Sequence, residues 1–276
     1  MSAHPLQRVL LAAATCALAA CNSVPTTTPG GVPIDATRTA KGQDSRVMFL
    51  VIHYTAEDFP RSMRILTEQA VSAHYLLSDE SPPVIYRLVD EERRAWHSGA
   101  SAWGVNHRLN ASSIGIEIVH PGFTLGPDRQ RIYLPFPQAQ IDALIPLVKD
   151  IVARHQILPE RVLGHGEVSP SYKEDPGPTF PWKQLADAGI TPPWPDAGRA
   201  AAERARFEQQ LPDAAWFQER LARHGYNIAR TGSWDGQSQR VLMNFQMRYR
   251  PGDYKGQMDA ESAALLQVLT TPAPKP

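Results

Sequence analysis

The chain has 276 residues, room for one medium domain and one small one. Its 28 basic and 28 acidic side chains balance, which excludes the electrostatic footprint of a nucleic-acid-binding protein. The two cysteines fall within the first 21 residues, too close to the terminus for a disulfide framework, so any fold beyond them must rest on its apolar core.

The N-terminus reads as a targeting segment. Arg8 supplies positive charge, and Val9 to Ala20 is an apolar run too short for an ordinary membrane span. The run ends in Leu18-Ala19-Ala20-Cys21, which resembles the lipobox of bacterial lipoproteins. That resemblance implies cleavage after Ala20 and acylation of Cys21. Because Asn22 rather than Asp follows, it also implies anchoring at the periplasmic face of the outer membrane. The alternative is a cleaved secretory signal with an incidental cysteine. Cleavage would discard Cys16 and Arg8, leaving Cys21 as the single thiol and 27 bases against 28 acids. Residues 21–45 then form a lipidated cysteine and a Thr/Pro/Gly-rich tether, able to reach roughly 75 Å when fully stretched.

Val47-Met48-Phe49-Leu50-Val51-Ile52 is a short, continuous apolar run and reads as a buried central strand ending at His53. Ala73 to Leu77, Val84 to Val89 and Ile114 to Val119 are further strand candidates. Between Gln138 and His155, Ile141, Leu144, Ile145, Val148, Ile151 and Val152 recur at helical spacing, with Pro146 expected to kink the helix or force a local repair. A brief strand from Arg161 to Leu163 leads to His165. Strands mixed with helices over residues 46–196 point to an α/β or α+β domain.

Residues 197–206 form a polar, Ala/Arg-rich connector, and a second, small three-helix unit occupies 207–276. Leu211 to His224 carries a helical apolar stripe and stops at Gly225. A short echo follows: Gly232-Ser233-Trp234-Asp235 and Gly256-Gln257-Met258-Asp259 each precede an apolar helix. Glycine makes each turn, and each Asp is placed to cap the next helix.

Among nine histidines, spacing does not single out a ligand set. His53 and His165 sit at strand ends, where a histidine is more often structural than metal-bound. Asp175 precedes Pro176, which pushes the preceding residue toward extended backbone. Lys173 then shares a face with Asp175, with Glu174 turned away. Lys173 is either an exposed lysine or a cation for a developing oxyanion. In Ile114-Gly115-Ile116-Glu117-Ile118-Val119 the isoleucines share one face, and Glu117 lies on the other. A carboxylate there is either solvated or placed to accept a proton.

Val51-Ile52-His53-Tyr54-Thr55, Ser113 to Glu117, and Gly164-His165 through Lys173-Glu174-Asp175-Pro176 resemble the AmpD/AmiD-type amidases, which share the peptidoglycan recognition protein fold. Ala95-Trp96-His97-Ser98-Gly99 resembles that family's Trp-His-Ala-Gly segment, with Ser98 in place of Ala. The resemblance spans about Arg46 to Trp194. It implies an α/β fold with a central mixed β-sheet flanked by helices, and one zinc ion (Zn2+) held by His53, His165 and Asp175, with Glu117 as base and Lys173 as oxyanion stabiliser. Trp96, His97 and Tyr54 would line the substrate groove. The implied reaction is hydrolysis of the amide between N-acetylmuramic acid and L-alanine in peptidoglycan or muropeptides. Two rivals remain at this level: a non-catalytic peptidoglycan-recognition lipoprotein and a zinc peptidase that cuts within the stem.

The second unit resembles a peptidoglycan-binding domain through Phe217 to Leu221, His224-Gly225-Tyr226, Gly232 to Asp235 and Asn244-Phe245-Gln246. The alternative is a helical appendage that covers the first domain. Since every proposed catalytic residue precedes Pro176, a binding module would be separable from cleavage of small soluble substrates.

Overall fold

The structure is a computed structural model and describes residues 27–272. The targeting segment and Cys21 lie outside the described residues. The described residues divide into two units at the boundary between residues 43 and 44. In the first, Thr27 and Pro33 pair in an isolated antiparallel bridge closed by a turn over Thr28 to Gly31. Part of the expected tether therefore has local structure.

The second unit opens with β1 (Phe49–Tyr54), α1 (Phe59–Glu68), β2 (Tyr75–Leu77) and β3 (Ile85–Arg87). Two short hairpin strands, β4 (Ala102–Trp103) and β5 (Asn106–His107), precede β6 (Ser113–Ile118). A second small hairpin, β7 (Phe123–Leu125) and β8 (Arg131–Tyr133), leads to α2 (Gln138–His155) and β9 (Val162–Gly164). Then come α3 (His165–Val168), α4 (Trp182–Asp187), α5 (Ala197–Gln209), α6 (Ala214–His224), α7 (Gly236–Tyr249) and α8 (Ala260–Thr270).

The main sheet has the order β3-β2-β6-β1-β9 and is mixed, with β3 antiparallel at one edge and the other pairs parallel. Strand alternation assigns its two faces. Leu50, Ile52, Ile114, Ile116, Ile118 and Val162 share a core with Ile141, Leu144, Val148 and Ile151 of α2. That helix runs unbroken through Pro146, which lies on its exposed side, where a missing backbone hydrogen bond is open to water.

The opposite face is covered by the C-terminal helices. Phe49, Val51 and Leu163 belong to one core with Phe207, Phe217, Leu221, Val241, Leu242 and Phe245. The connector expected at 197–206 is instead the first part of α5, and the three helices expected beyond it are α6, α7 and α8. Its Ala, Arg and Glu residues are strong helix formers, and the Asp196 side chain accepts the Arg199 N–H to cap the first turn. Nor do these helices keep a core of their own. Trp103 of β4 packs edge-on against Tyr226, with ring centroids 5.0 Å apart, and fills the space that a side chain at Gly225 would need.

The echo in the second unit has a physical basis. Asp235 and Asp259 accept the N–H of Ser238 and Ser262, each at 2.8 Å. Behind each cap a buried glutamine bridges turn and helix. Gln218 accepts the Gly232 N–H and donates to Ser238 Oγ, and Gln246 does the same for Gly256 and Ser262.

Candidate active site

Three donor atoms converge at one end of the sheet. His53 Nδ1 lies 3.0 Å from His165 Nδ1 and 3.1 Å from Asp175 Oδ2, and the latter two are 3.2 Å apart. His53 is the fifth residue of β1, His165 begins α3 directly after β9, and β1 and β9 are adjacent strands. Asp175 arrives from the loop beyond α3, where its backbone carbonyl accepts the Gly166 N–H at 2.8 Å. All three side chains are buried. Three protein donors, two of them imidazole and one carboxylate, match the ligand number and type of a catalytic zinc site. A tetrahedral zinc with bonds of 2.0–2.1 Å separates its ligands by roughly 3.4 Å, close to the spacing found. His165 Nε2 is buried without a hydrogen-bond partner.

The electrostatics fit a cation. Burial, followed by the neighbouring His165, lowers the pKa of His53 to about 4, so its ring is neutral at ordinary pH. Burial pushes the Asp175 carboxyl up, but His165 and His53 beside it outweigh burial and hold it well below the usual carboxylate range. The neutral His53 ring and the ionised Asp175 carboxylate, with His165 beside them, form a cluster that could hold a divalent cation.

Glu117 stands opposite His53 in the β1–β6 register, one strand spacing away on the same face. Its Oε2 is buried and has no hydrogen-bond partner. Burial, together with the Asp175 charge, pushes its pKa up to about 8, with Lys173 opposing. The cluster opens into a cleft of about 450 Å³ lined by Tyr54, Trp96, His97, Glu117, Lys173 and Asp175 among others. The two faces of β6 expected from the sequence are both observed, and so is the convergence of Lys173 with Asp175.

Two expectations change. Glu174 is not turned away: turns on either side of Lys173-Glu174 keep that segment from running as a strand. Glu174 lines the same cleft and pairs with Arg131. Trp96 is half exposed at the rim, with the Arg94 guanidinium 4.0 Å from its ring, whereas His97 is 8% exposed. The His97 ring lies behind His53, with its Nδ1 3.0 Å from His53 Nε2, so most of it is lodged in the wall rather than facing a substrate.

Sequence reading misses Arg240. This residue of α7 lines the cleft, 65 positions beyond Asp175, and no local motif announces it. The same helix face carries Asn244, whose side chain donates to the Lys173 carbonyl at 3.3 Å. One turn further, Arg248 donates to Glu167 at 2.7 Å, in an ion pair with both side chains 5% exposed. Glu167 Oε2 in turn accepts the Gly164 N–H, next to His165.

This chain is 44% identical to N-acetylmuramoyl-L-alanine amidase AmiD of Escherichia coli, over 87% of its own length and 88% of that protein's. The N-acetylmuramoyl-L-alanine amidase family, Amidase_2, matches residues 43–178. The chain belongs to the N-acetylmuramoyl-L-alanine amidase family. The E. coli AmiD structure, solved with anhydro-N-acetylmuramic acid-L-Ala-D-γ-Glu-L-Lys, superposes with a TM-score of 0.78 at 42% identity, covering 88% of this chain and 96% of that one. AMPDH3 of Pseudomonas aeruginosa, in complex with anhydromuramic pentapeptide, matches with a TM-score of 0.78 at 38% identity, covering 85% and 96%. Both matches extend well past residue 178, so the likeness takes in C-terminal helices of this amidase as well as its sheet.

Proposed function

We propose that this amidase holds one zinc ion on His53, His165 and Asp175 and hydrolyses the lactyl–L-alanine amide of muropeptides, including those with an anhydro-N-acetylmuramic acid end. The observation that carries the reading is the convergence of three donor atoms within 3.2 Å of one another, beside a partnerless buried carboxyl. Bound there, zinc supplies a Lewis acid for the amide carbonyl and lowers the pKa of a water molecule. Glu117 takes a proton from the attacking water as its oxygen bonds to the carbonyl carbon. As the carbon–nitrogen bond breaks, Glu117 returns that proton to the departing alanine nitrogen. Lys173 places its ammonium toward the oxygen on which negative charge develops. Trp96 and Tyr54 flank the substrate.

His165→Ala tests the metal half of this reading. Zinc content and turnover of a soluble muropeptide are expected to fall together, while the far-ultraviolet circular dichroism stays that of a folded protein. Parent-level turnover in a variant verified to be zinc-free would refute the ligand assignment.

The same proposal places the enzyme at the periplasmic face of the outer membrane, lipid-anchored through Cys21, and names peptidoglycan as its polymer partner. The support is the Leu18-Ala19-Ala20-Cys21 sequence. Cys21→Ser should shift the protein from the membrane fraction to the soluble periplasm with its muropeptide turnover unchanged. Undiminished sedimentation with membranes would mean that something other than acylation holds it.

A further inference from the structure

Behind the three donor atoms runs a chain of hydrogen bonds that ends on the protein backbone. His53 Nε2 is 3.0 Å from His97 Nδ1, His97 Nε2 is 3.0 Å from Ser113 Oγ, and Ser113 Oγ is 2.7 Å from the Leu109 carbonyl oxygen. The last link fixes the direction of the whole chain. A carbonyl cannot donate, so at 2.7 Å the single hydroxyl hydrogen of Ser113 must point at Leu109. Ser113 then has only lone pairs to offer His97, whose Nε2 must carry the proton and whose Nδ1 must be bare. His53 Nε2 is therefore the donor to His97, and His53 Nδ1 keeps its lone pair. That lone pair faces His165 and Asp175.

We propose that His97 is a positioning residue that sets the tautomer and ring orientation of His53 for metal binding, with Ser113 and the Leu109 carbonyl fixing the direction of the relay. This inference rests on the reading of His53 as a zinc ligand. In the opposite polarity the His53 proton sits on Nδ1 and blocks the site. The local fold supports the relay from both sides. The His97 and Ser98 backbone N–H groups both donate to Asn110 Oδ1, at 3.0 and 2.8 Å, which pins the turn carrying the ring. On the sheet side, Gly115 has no Cβ, and a Cβ there would overlap the imidazole of His97. The ring is thus seated against the bare backbone of β6, two residues after Ser113 and two before Glu117. Histidine ligands of metal sites generally donate their second ring N–H to an oriented acceptor. Loss of that acceptor typically costs about 10–100-fold in metal affinity. Here the acceptor is a second, neutral imidazole.

Two substitutions separate the relay from simple packing. In His97→Asn the amide oxygen can take the place of Nδ1 and still accept from His53. In His97→Gln the polar group is displaced toward Ser113, and the acceptor for His53 is lost. Zinc affinity, measured by competition with a chromophoric chelator at fixed pH, should fall about 10–100-fold in His97→Gln and only a few-fold in His97→Asn. Ser113→Ala releases the relay's direction without touching the ring and should also weaken zinc binding, which keeps the test decisive where a ring variant fails to fold. Long-range nitrogen–proton NMR spectra of the metal-free parent should place the His53 proton on Nε2. Equal affinities of the parent, His97→Gln and Ser113→Ala, or a His53 proton on Nδ1 in the parent, would overturn the inference. Failure of the parent itself to bind zinc would instead overturn the ligand reading beneath it.

Discussion

Truncation after Arg206 is expected to abolish cleavage of small soluble muropeptides as well as of insoluble peptidoglycan. The cut removes α6, α7 and α8, which share a core with Phe49, Val51, Leu109, Leu163 and Val168 of the amidase half. Leaving those five side chains in water costs on the order of 8–15 kcal/mol if each is fully exposed, at 1.5–3 kcal/mol apiece. Half of that rivals the whole stability of an ordinary domain, about 5–15 kcal/mol. The cut also removes Arg248 of α7, the buried partner of Glu167, whose carboxylate accepts the Gly164 N–H next to His165. His165 and Lys173 sit on segments held by that helix. A sharply lowered melting temperature, with equal losses on soluble and insoluble substrates, is the expected result. Intact turnover of a soluble muropeptide by residues 1–206, with only sacculus cleavage impaired, would restore the picture of a separable wall-binding module.

Glu117→Gln is expected to leave zinc binding in place and reduce turnover by about 10²- to 10⁴-fold, the usual consequence of losing a general base. The amide has nearly the shape of the acid but cannot accept the water's proton. A pH signature accompanies this. The Glu117 carboxyl is held protonated to about 8 in the folded chain, against 4.5 for an ordinary glutamate, chiefly by burial. The folded state therefore binds this proton more tightly than the unfolded state does. The stabilisation that results is present at low pH and is lost as pH rises from about 4.5 through about 8. In zinc-stripped protein the parent should lose stability relative to Glu117→Gln across that window, by at most about 1.4 kcal/mol per pH unit. Urea melts of both proteins at a series of pH values read the difference, in which the contributions of the buried histidines cancel. Parallel stability profiles would mean that Glu117 is solvated, and parent-level turnover would remove it from the mechanism.

The strands that carry the site were legible from their patterning, whereas the ligand set came only from the resemblance to AmpD/AmiD-type amidases, because spacing does not single out ligands among nine histidines. The run from Val47 to Ile52 reads as a buried strand, and the alternation in Ile114 to Ile118 places Glu117 on the face opposite the isoleucines. Local chemistry also predicts the caps at Asp235 and Asp259. What stayed hidden depends on contacts between distant segments. Arg240 reaches the cleft only because α7 docks on the loop that carries Lys173, and neither segment is amphipathic in a way that names its partner. His97 is expected in the groove only through the resemblance of Trp96-His97-Ser98-Gly99 to the family's Trp-His-Ala-Gly segment. Its ring turns inward because Gly115 leaves room for it on β6, 18 residues away. The stretch 197–206 reads as a connector because it is polar, yet polarity with high helix propensity also describes one side of a docked helix. The α5 helix runs from these residues to the buried Phe207. His224-Gly225-Tyr226 resembles part of a wall-binding motif, but here it meets Trp103 of the amidase half.

The central claim is hydrolysis at the sugar–peptide amide by a metal-dependent site. The most direct measurement is mass spectrometry of the products formed from anhydro-N-acetylmuramic acid-L-Ala-D-γ-Glu-L-Lys, run with the parent enzyme, with chelator, and with zinc restored. The account predicts free anhydro-N-acetylmuramic acid and the intact tripeptide, no cleavage under chelator, and recovery when zinc is returned. Products in which the sugar still carries alanine would contradict it by placing the cut within the stem. Undiminished cleavage by verified zinc-free protein would contradict it by removing the metal.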